Sequence, residues 1–171
     1  MPLNVPVAGR NYLVTGLSGV GKSAVYEELI RRGYAAISTD RTWAYHADPG
    51  TGLPGGPVGH DTWVWDRRQA LRELEDPEPE MLFVCGSSRN IDQFLPYFTK
   101  VFYLRIDDGT MRRRLEGRTD DDWPLGAAGV ELMLTLNREG EHFAGAIDVD
   151  ATRPLDEVVD QLLRLSDLEP S

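Results

Sequence analysis

Residues 16 to 23 read Gly16-Leu17-Ser18-Gly19-Val20-Gly21-Lys22-Ser23, two glycines bracketing four residues and followed by Lys and Ser. That spacing is the pattern of a phosphate-binding loop. Glycines let the backbone curl until successive N–H groups point inward at an anion. A helix starting here, with Ala24 in its first turn, would aim its positive N-terminal end at the same target. Lys22 would set a point charge between the outer phosphates of a nucleotide, and the Ser23 hydroxyl would ligate Mg²⁺. The flanks agree with this reading. Tyr12-Leu13-Val14-Thr15 is a short apolar run of strand formers, whereas Ala24, Val25, Leu29 and Ile30 recur at helical spacing before Gly33.

Other residues with chemical potential lie further along. Asp40 ends the second strand candidate, where a carboxylate can meet Mg²⁺ or orient an acceptor hydroxyl and take its proton. A helix N-cap is the plain alternative for this aspartate. Arg112-Arg113-Arg114-Leu115-Glu116-Gly117-Arg118 sits on a helix running into an irregular stretch. Arginines there could stabilise the charge that spreads over a phosphoryl group in transfer. Arg118 and then Arg114 are the catalytic candidates, and a solvated basic face accounts for the others. Trp63 and Trp65, two positions apart, are read on a helix over Thr62–Leu74, with one ring in the core and one free to stack on a planar substrate. Trp65 and Arg67 are expected to contact the substrate, as are Gly86 and Ser87 in the Gly-Ser-Ser turn after the third strand. His46, His60 and His142 lack metal-ligand spacing. The metal candidates are Ser23 and Asp40.

The elements that must hold these groups alternate from end to end. Strands are expected at Asn11–Thr15, Ala35–Ser38, Met81–Cys85, Val101–Arg105 and Ala146–Val149. Helices are expected at Lys22–Arg32, Thr62–Leu74, Ile91–Tyr97, Gly109–Gly117, Val130–Phe143 and Leu155–Leu165. Short apolar strands between helices imply an α/β fold, a parallel sheet covered on both faces. The turn-rich stretch 48–59 and the stretch 119–129 are too irregular for either element. Loops leaving the carboxyl ends of parallel strands border the ligand crevice, so both are candidate lids or plain surface insertions.

The length, 171 residues, predicts one domain over 1–171 with a substantial core. A net charge of −10 argues against a broad nucleic-acid groove. Cys85 is the single cysteine, so no intrachain disulfide forms and a reducing, cytoplasmic setting is expected. No apolar run reaches the ~18 residues that span a membrane, and residues 1–10 lack the apolar core of a signal peptide. The acid that follows the third strand in many nucleotide hydrolases is missing, and no Asn-Lys-x-Asp segment reads guanine.

The loop Gly16–Ser23, the strand-end Asp40, the Arg-rich helix and Asp150-Ala151-Thr152-Arg153-Pro154 together resemble the small P-loop kinases. That group includes nucleoside monophosphate, shikimate and gluconate kinases and chloramphenicol phosphotransferase. The stretch 83–90 resembles a poorly characterised actinobacterial-type subgroup. The resemblance implies a three-layer α/β/α P-loop NTPase fold, with a five-stranded parallel sheet in the order 2-3-1-4-5 and a lid near 118–129. It further implies an ATP-dependent phosphotransferase using ATP and Mg²⁺ on a small-molecule acceptor such as a nucleoside, nucleotide or other metabolite, acting as a monomer or homodimer. By the same resemblance Lys22 and Ser23 handle phosphates and metal, Asp40 serves the acceptor or the metal, Arg118 is a lid arginine and Arg153 lies against the adenine. The acidic lid Arg118-Thr119-Asp120-Asp121-Asp122-Trp123-Pro124 departs from the adenylate kinases. A nucleotide-binding regulatory module, or a slow NTPase without an acceptor, is the alternative.

Overall fold

The computed structural model describes residues 9–54, 58, 60–117, 127–140 and 145–166. Strand β1 (Arg10–Thr15) leads into helix α1 (Lys22–Arg31) and β2 (Ala36–Ser38). The single-turn helix α2 (Thr39–Thr42) follows directly, then β3 (Ala44–His46) and β4 (Trp63–Trp65). Next come α3 (Arg67–Leu74), β5 (Met81–Cys85), β6 (Lys100–Arg105), α4 (Asp108–Glu116), α5 (Ala127–Glu139), β7 (Ile147–Asp150) and α6 (Leu155–Leu165).

Five strands form one parallel sheet in the order β2-β5-β1-β6-β7. Counted among themselves in chain order, these strands run 2-3-1-4-5, the order the resemblance implies. The first strand in the chain is thus the central one, with Leu13 opposite Val84 on one side and Val101 on the other.

The alternation of β1 builds both cores. Tyr12 and Val14 face one side with Phe83, Cys85, Phe102 and Leu104, against apolar residues of α1, α4, α5 and α6. Leu13 faces the opposite side with Leu82 and Val84, against Trp43, Trp65, Ala70, Leu74 and Phe94. Strand side chains point alternately to the two faces, so a run apolar at every position needs cover on both.

Three expectations are corrected. The helix read over Thr62–Leu74 is a short strand, Trp63–Trp65, then a helix from Arg67. β4 pairs antiparallel with β3, with Ala44 opposite Trp65 and His46 opposite Trp63. Asp66 ends the strand and caps α3, its carboxylate accepting from the Gln69 amide at 2.8 Å. The helix read over Ile91–Tyr97 is two 3₁₀ turns, Ile91–Gln93 and Leu95–Tyr97. Pro96 supplies no amide donor and disfavours an α conformation at Leu95. The helix expected from Val130 begins at Ala127, so part of the expected lid is helical; Glu139 is its last residue, followed by Gly140 at φ 73°.

Candidate functional site: a phosphate loop joined to a second cavity

The loop after β1 turns on glycines in the left-handed region, Gly19 at φ 87° and Gly21 at φ 105°, which residues with a side chain rarely adopt. The first amide bond of α1 runs from Val25 to the Gly21 carbonyl. The amides of Lys22, Ser23 and Ala24 therefore precede the helical ladder, where amides are available to an anion. The Lys22 ammonium donates to the carbonyls of Gly16 and Leu17, which curls the side chain over its own loop.

A crevice of about 480 Å³ runs from this loop to the turn after β7. Ser18 to Val25 form one wall, and Ala151, Arg153, Leu155 and Val158 form the other. Arg114 spans the two: one guanidinium nitrogen donates to the Gly19 carbonyl and the other to that of Ala151, each at 3.2 Å. Its neighbours turn outward. Arg112 pairs with Glu131 and Glu116, and Arg113 donates to Thr110. The exposed Arg153 lies between Asp150 and Glu157. The hydroxyl and amide of Thr152 hold the Asp150 carboxyl below its ordinary range.

A second cavity, of about 80 Å³, lies beside the loop. Gly16, Leu17, Ser18 and Lys22 meet Asp40, Trp63 and Ser87 to Arg89 there. The sequence explains this convergence. β2 ends at Ser38 and α2 begins at once, so Asp40 leaves the carboxyl edge of the sheet. β5 ends beside it at Cys85, and Gly86 passes Thr39 so closely that a Cβ there would stand 1.6 Å from the Thr39 hydroxyl oxygen. The segment after β5 then ties itself to β4. The Arg89 amide donates to the Trp63 carbonyl at 2.7 Å, and the Asn90 side chain bonds both backbone groups of Trp65.

No protein-family model matches the chain. Among curated proteins it is similar to the HPr kinase/phosphorylase of Lactiplantibacillus plantarum, 25% identical over 98% of this chain. The chain spans about half of that relative's length, 54%. Among solved structures it is similar to an unliganded sugar kinase from Janibacter sp. HTCC2649, with a TM-score of 0.60 and 20% identity, covering 95% of this chain and 96% of that one. A gluconokinase from Sinorhizobium meliloti 1021 gives a TM-score of 0.57 and 21% identity, with coverage of 94% and 95%.

The fold is that of the small P-loop kinases.

Within this P-loop kinase fold, the structure brings together Ser18 to Ala24, Asp40, Arg114 and Arg153 along the larger crevice, with Gly16, Leu17 and Ser87 in the smaller cavity. It does not bring Trp65 there. Trp65 is 1% exposed and packs on Trp43 and Phe94, each with ring centroids 5.4 Å away. The strand conformation is the reason: positions 63 and 65 share a face of the ribbon, and Trp65 is the one over the core. Arg67 is exposed at the start of α3 and lines neither cavity. Gly86 is buried against Thr39, and it sets the approach of the segment without lining a cavity. Arg118 and the stretch to residue 126 lie outside the described residues. The residues missed by the sequence reading are Trp63, Ser88 and Arg89. The alternation Trp-Val-Trp was the available signal for the first.

The described residues contain no group of three or more His, Cys, Asp or Glu arranged to hold a metal. The Ser23 hydroxyl and Asp40 carboxylate both line the larger crevice. Two hard oxygen donors of this kind fit Mg²⁺, which keeps several waters and takes its remaining ligands from substrate phosphates. No helix among the described residues is long and apolar enough to cross a membrane.

Proposed function

We propose that this chain is an ATP-dependent kinase that moves the γ-phosphoryl group of ATP·Mg to a small-molecule acceptor. The observation that carries this reading is that Ser18, Lys22 and Asp40 line both cavities. The larger crevice suits a nucleotide: amides at its base, cations from Lys22, Arg114 and Arg153, and an apolar stretch at Leu155 and Val158. The smaller cavity opens on the same loop, where an acceptor would meet the terminal phosphate.

Phosphoryl transfer needs positioning and charge stabilisation more than covalent help. The loop amides and Lys22 hold the phosphates, Arg114 fixes the loop against the turn after β7, and Asp40 receives the acceptor proton. Mg²⁺ held by Ser23, Asp40 and phosphate oxygens would supply neutralising charge. The names of the solved neighbours, a sugar kinase and a gluconokinase, support a small acceptor.

Calorimetry with ATP and Mg²⁺, followed by transfer assays over nucleosides, nucleotides, sugars and sugar acids, tests the reading. ATP-dependent label on one acceptor class is the expected result. Phosphate release independent of every acceptor would reduce the protein to an NTPase, and absence of ATP binding would remove the proposal altogether.

A further inference from the structure

We infer that Asn90 is a positioning residue for the transfer step: it braces β4 so that the Trp63 indole holds the Asp40 carboxylate where the smaller cavity meets the phosphate loop. The inference rests on the kinase reading above for the role of Asp40 and adds a residue that lines neither cavity. Three observations carry it.

First, the backbone groups of β4 alternate between its two edges. On the β3 side, the Thr62 carbonyl accepts from Ala47 and the Asp66 amide donates to Trp43. Those of Trp63 and Trp65 therefore face the opposite edge, where no strand pairs with β4 among the described residues. The segment after β5 meets them instead. The Arg89 amide donates to the Trp63 carbonyl at 2.7 Å. The Asn90 side chain accepts from the Trp65 amide at 2.9 Å and donates to the Trp65 carbonyl at 3.1 Å. A carboxamide offers a donor and an acceptor side by side, as a neighbouring strand would. Second, Asn90 stands at the N-cap of the 3₁₀ turn Ile91–Gln93 yet makes no capping bond, although asparagine at that position ordinarily caps its own helix. Its side chain, in a residue 8% exposed, is given to Trp65 instead.

Third, the same segment touches both ends of the bond between Trp63 and Asp40. Gly86 packs against Thr39, the residue before Asp40, and Arg89 and Asn90 hold β4. Asp40 is exposed and Trp63 half-buried, so water competes for their hydrogen bond and its geometry depends on how firmly the two backbones are placed. With Asn90 truncated, the Trp65 amide and carbonyl would be buried without partners. β4 would shift to hydrate them, and the indole would leave the carboxylate.

Asn90→Ala is the test. Asn90→Ser, which leaves a hydroxyl for one of the two Trp65 groups, takes its place if thermal melting shows Asn90→Ala unfolded. Two readouts separate positioning from support of the core. In heteronuclear NMR spectra of the full chain, the Trp63 indole resonance is assigned by its loss in Trp63→Phe. It is expected to shift and to exchange with water at least about tenfold faster, while the Trp43 indole, bonded to Glu73, keeps its protection. ADP formation from ATP·Mg with gluconate present counts transfer to the acid or to water alike. Its kcat should fall about two- to tenfold, with KM for ATP within about a factor of two. In a Trp63→Phe background the same substitution should cost less than about twofold more. An unmoved Trp63 indole, equal loosening of Trp43, or losses that multiply across the two substitutions would overturn the assignment and leave Asn90 a core residue. A parent chain that binds no ATP and forms no ADP would instead remove the kinase reading, whereas the spectra decide independently whether Asn90 places the indole.

Discussion

The indole N–H of Trp63 donates to the Asp40 carboxylate at 3.1 Å, linking β4 to the single-turn helix after β2. The same ring meets His46 with centroids 4.8 Å apart, and the Nδ1 of that histidine lies 2.9 Å from the Thr62 hydroxyl. One carboxylate oxygen is thereby oriented, and in the proposed reaction the carboxylate would serve Mg²⁺ and the acceptor from that fixed position. Trp63→Phe keeps an aromatic wall and removes the hydrogen bond. We expect kcat for transfer to fall by about two- to tenfold, the range for one modest hydrogen bond. KM for ATP should stay within about a factor of two. Steady-state kinetics with each substrate varied in turn checks this, and an unchanged kcat would show that the bond does not orient the carboxylate.

Lys22 holds its ammonium over the phosphate loop. Lys22→Ala should reduce transfer by at least about a hundredfold, since electrostatic stabilisation is the main contribution in phosphoryl transfer. The melting temperature should change little, because the ammonium sits on the carbonyls of its own loop and belongs to neither apolar core. Single-turnover assays and a thermal scan of the same sample separate the two effects.

Gly86→Ala should damage the fold more than the chemistry. The added Cβ would stand 1.6 Å from the Thr39 hydroxyl oxygen and 2.8 Å from the Thr39 Cβ. Both residues are buried, so relief requires β2 and β5 to part. We expect a loss above about 3 kcal/mol, at the severe end for single substitutions, measured by denaturant unfolding.

Helices α1 and α6 are joined through a small ion network that is sensitive to acid. Glu28 accepts from Arg31 and Arg32, and Arg32 also bonds Asp160 at 2.6 Å. Those hydrogen bonds hold the Glu28 carboxyl at about 2 against an ordinary 4.5. A native pKa below the unfolded one adds stability that is full above the unfolded value and fades as pH falls toward the native one. The loss should therefore run from about 4.5 down to about 2. Glu28→Gln should lower the melting temperature at neutral pH, and its difference from the parent chain should shrink across that window.

Much of the fold was legible because the sheet strands are apolar at consecutive positions and the helices carry strong stop signals. Leu155–Leu165 and Lys22–Arg31 read correctly to within a residue for that reason. Cys85, at the end of an apolar run, is 3% exposed, and burial pushes its thiol up to about 12. The β3–β4 ribbon was not legible as such. Its strands are three residues long with sixteen residues between His46 and Trp63, too long a connection for a tight hairpin turn to pair them. Trp63 and Trp65 then joined the helical pattern of Ala70, Leu71 and Leu74, and the wrong indole was assigned to the substrate. The phosphate loop is local and patterned in its own residues, whereas the smaller cavity is assembled from four separate segments. Spacing alone carries the first and not the second.

Arg114 fastens carbonyls that lie 95 residues before it and 37 after it. The larger crevice thus draws its walls from segments more than a hundred residues apart, and β1 finds both of its neighbours only after residue 80. Long closures of this kind are slow to form. On a translating ribosome the phosphate loop would emerge well before β7 and its turn, so the wall that Arg114 fastens to it could close only after those later residues were released.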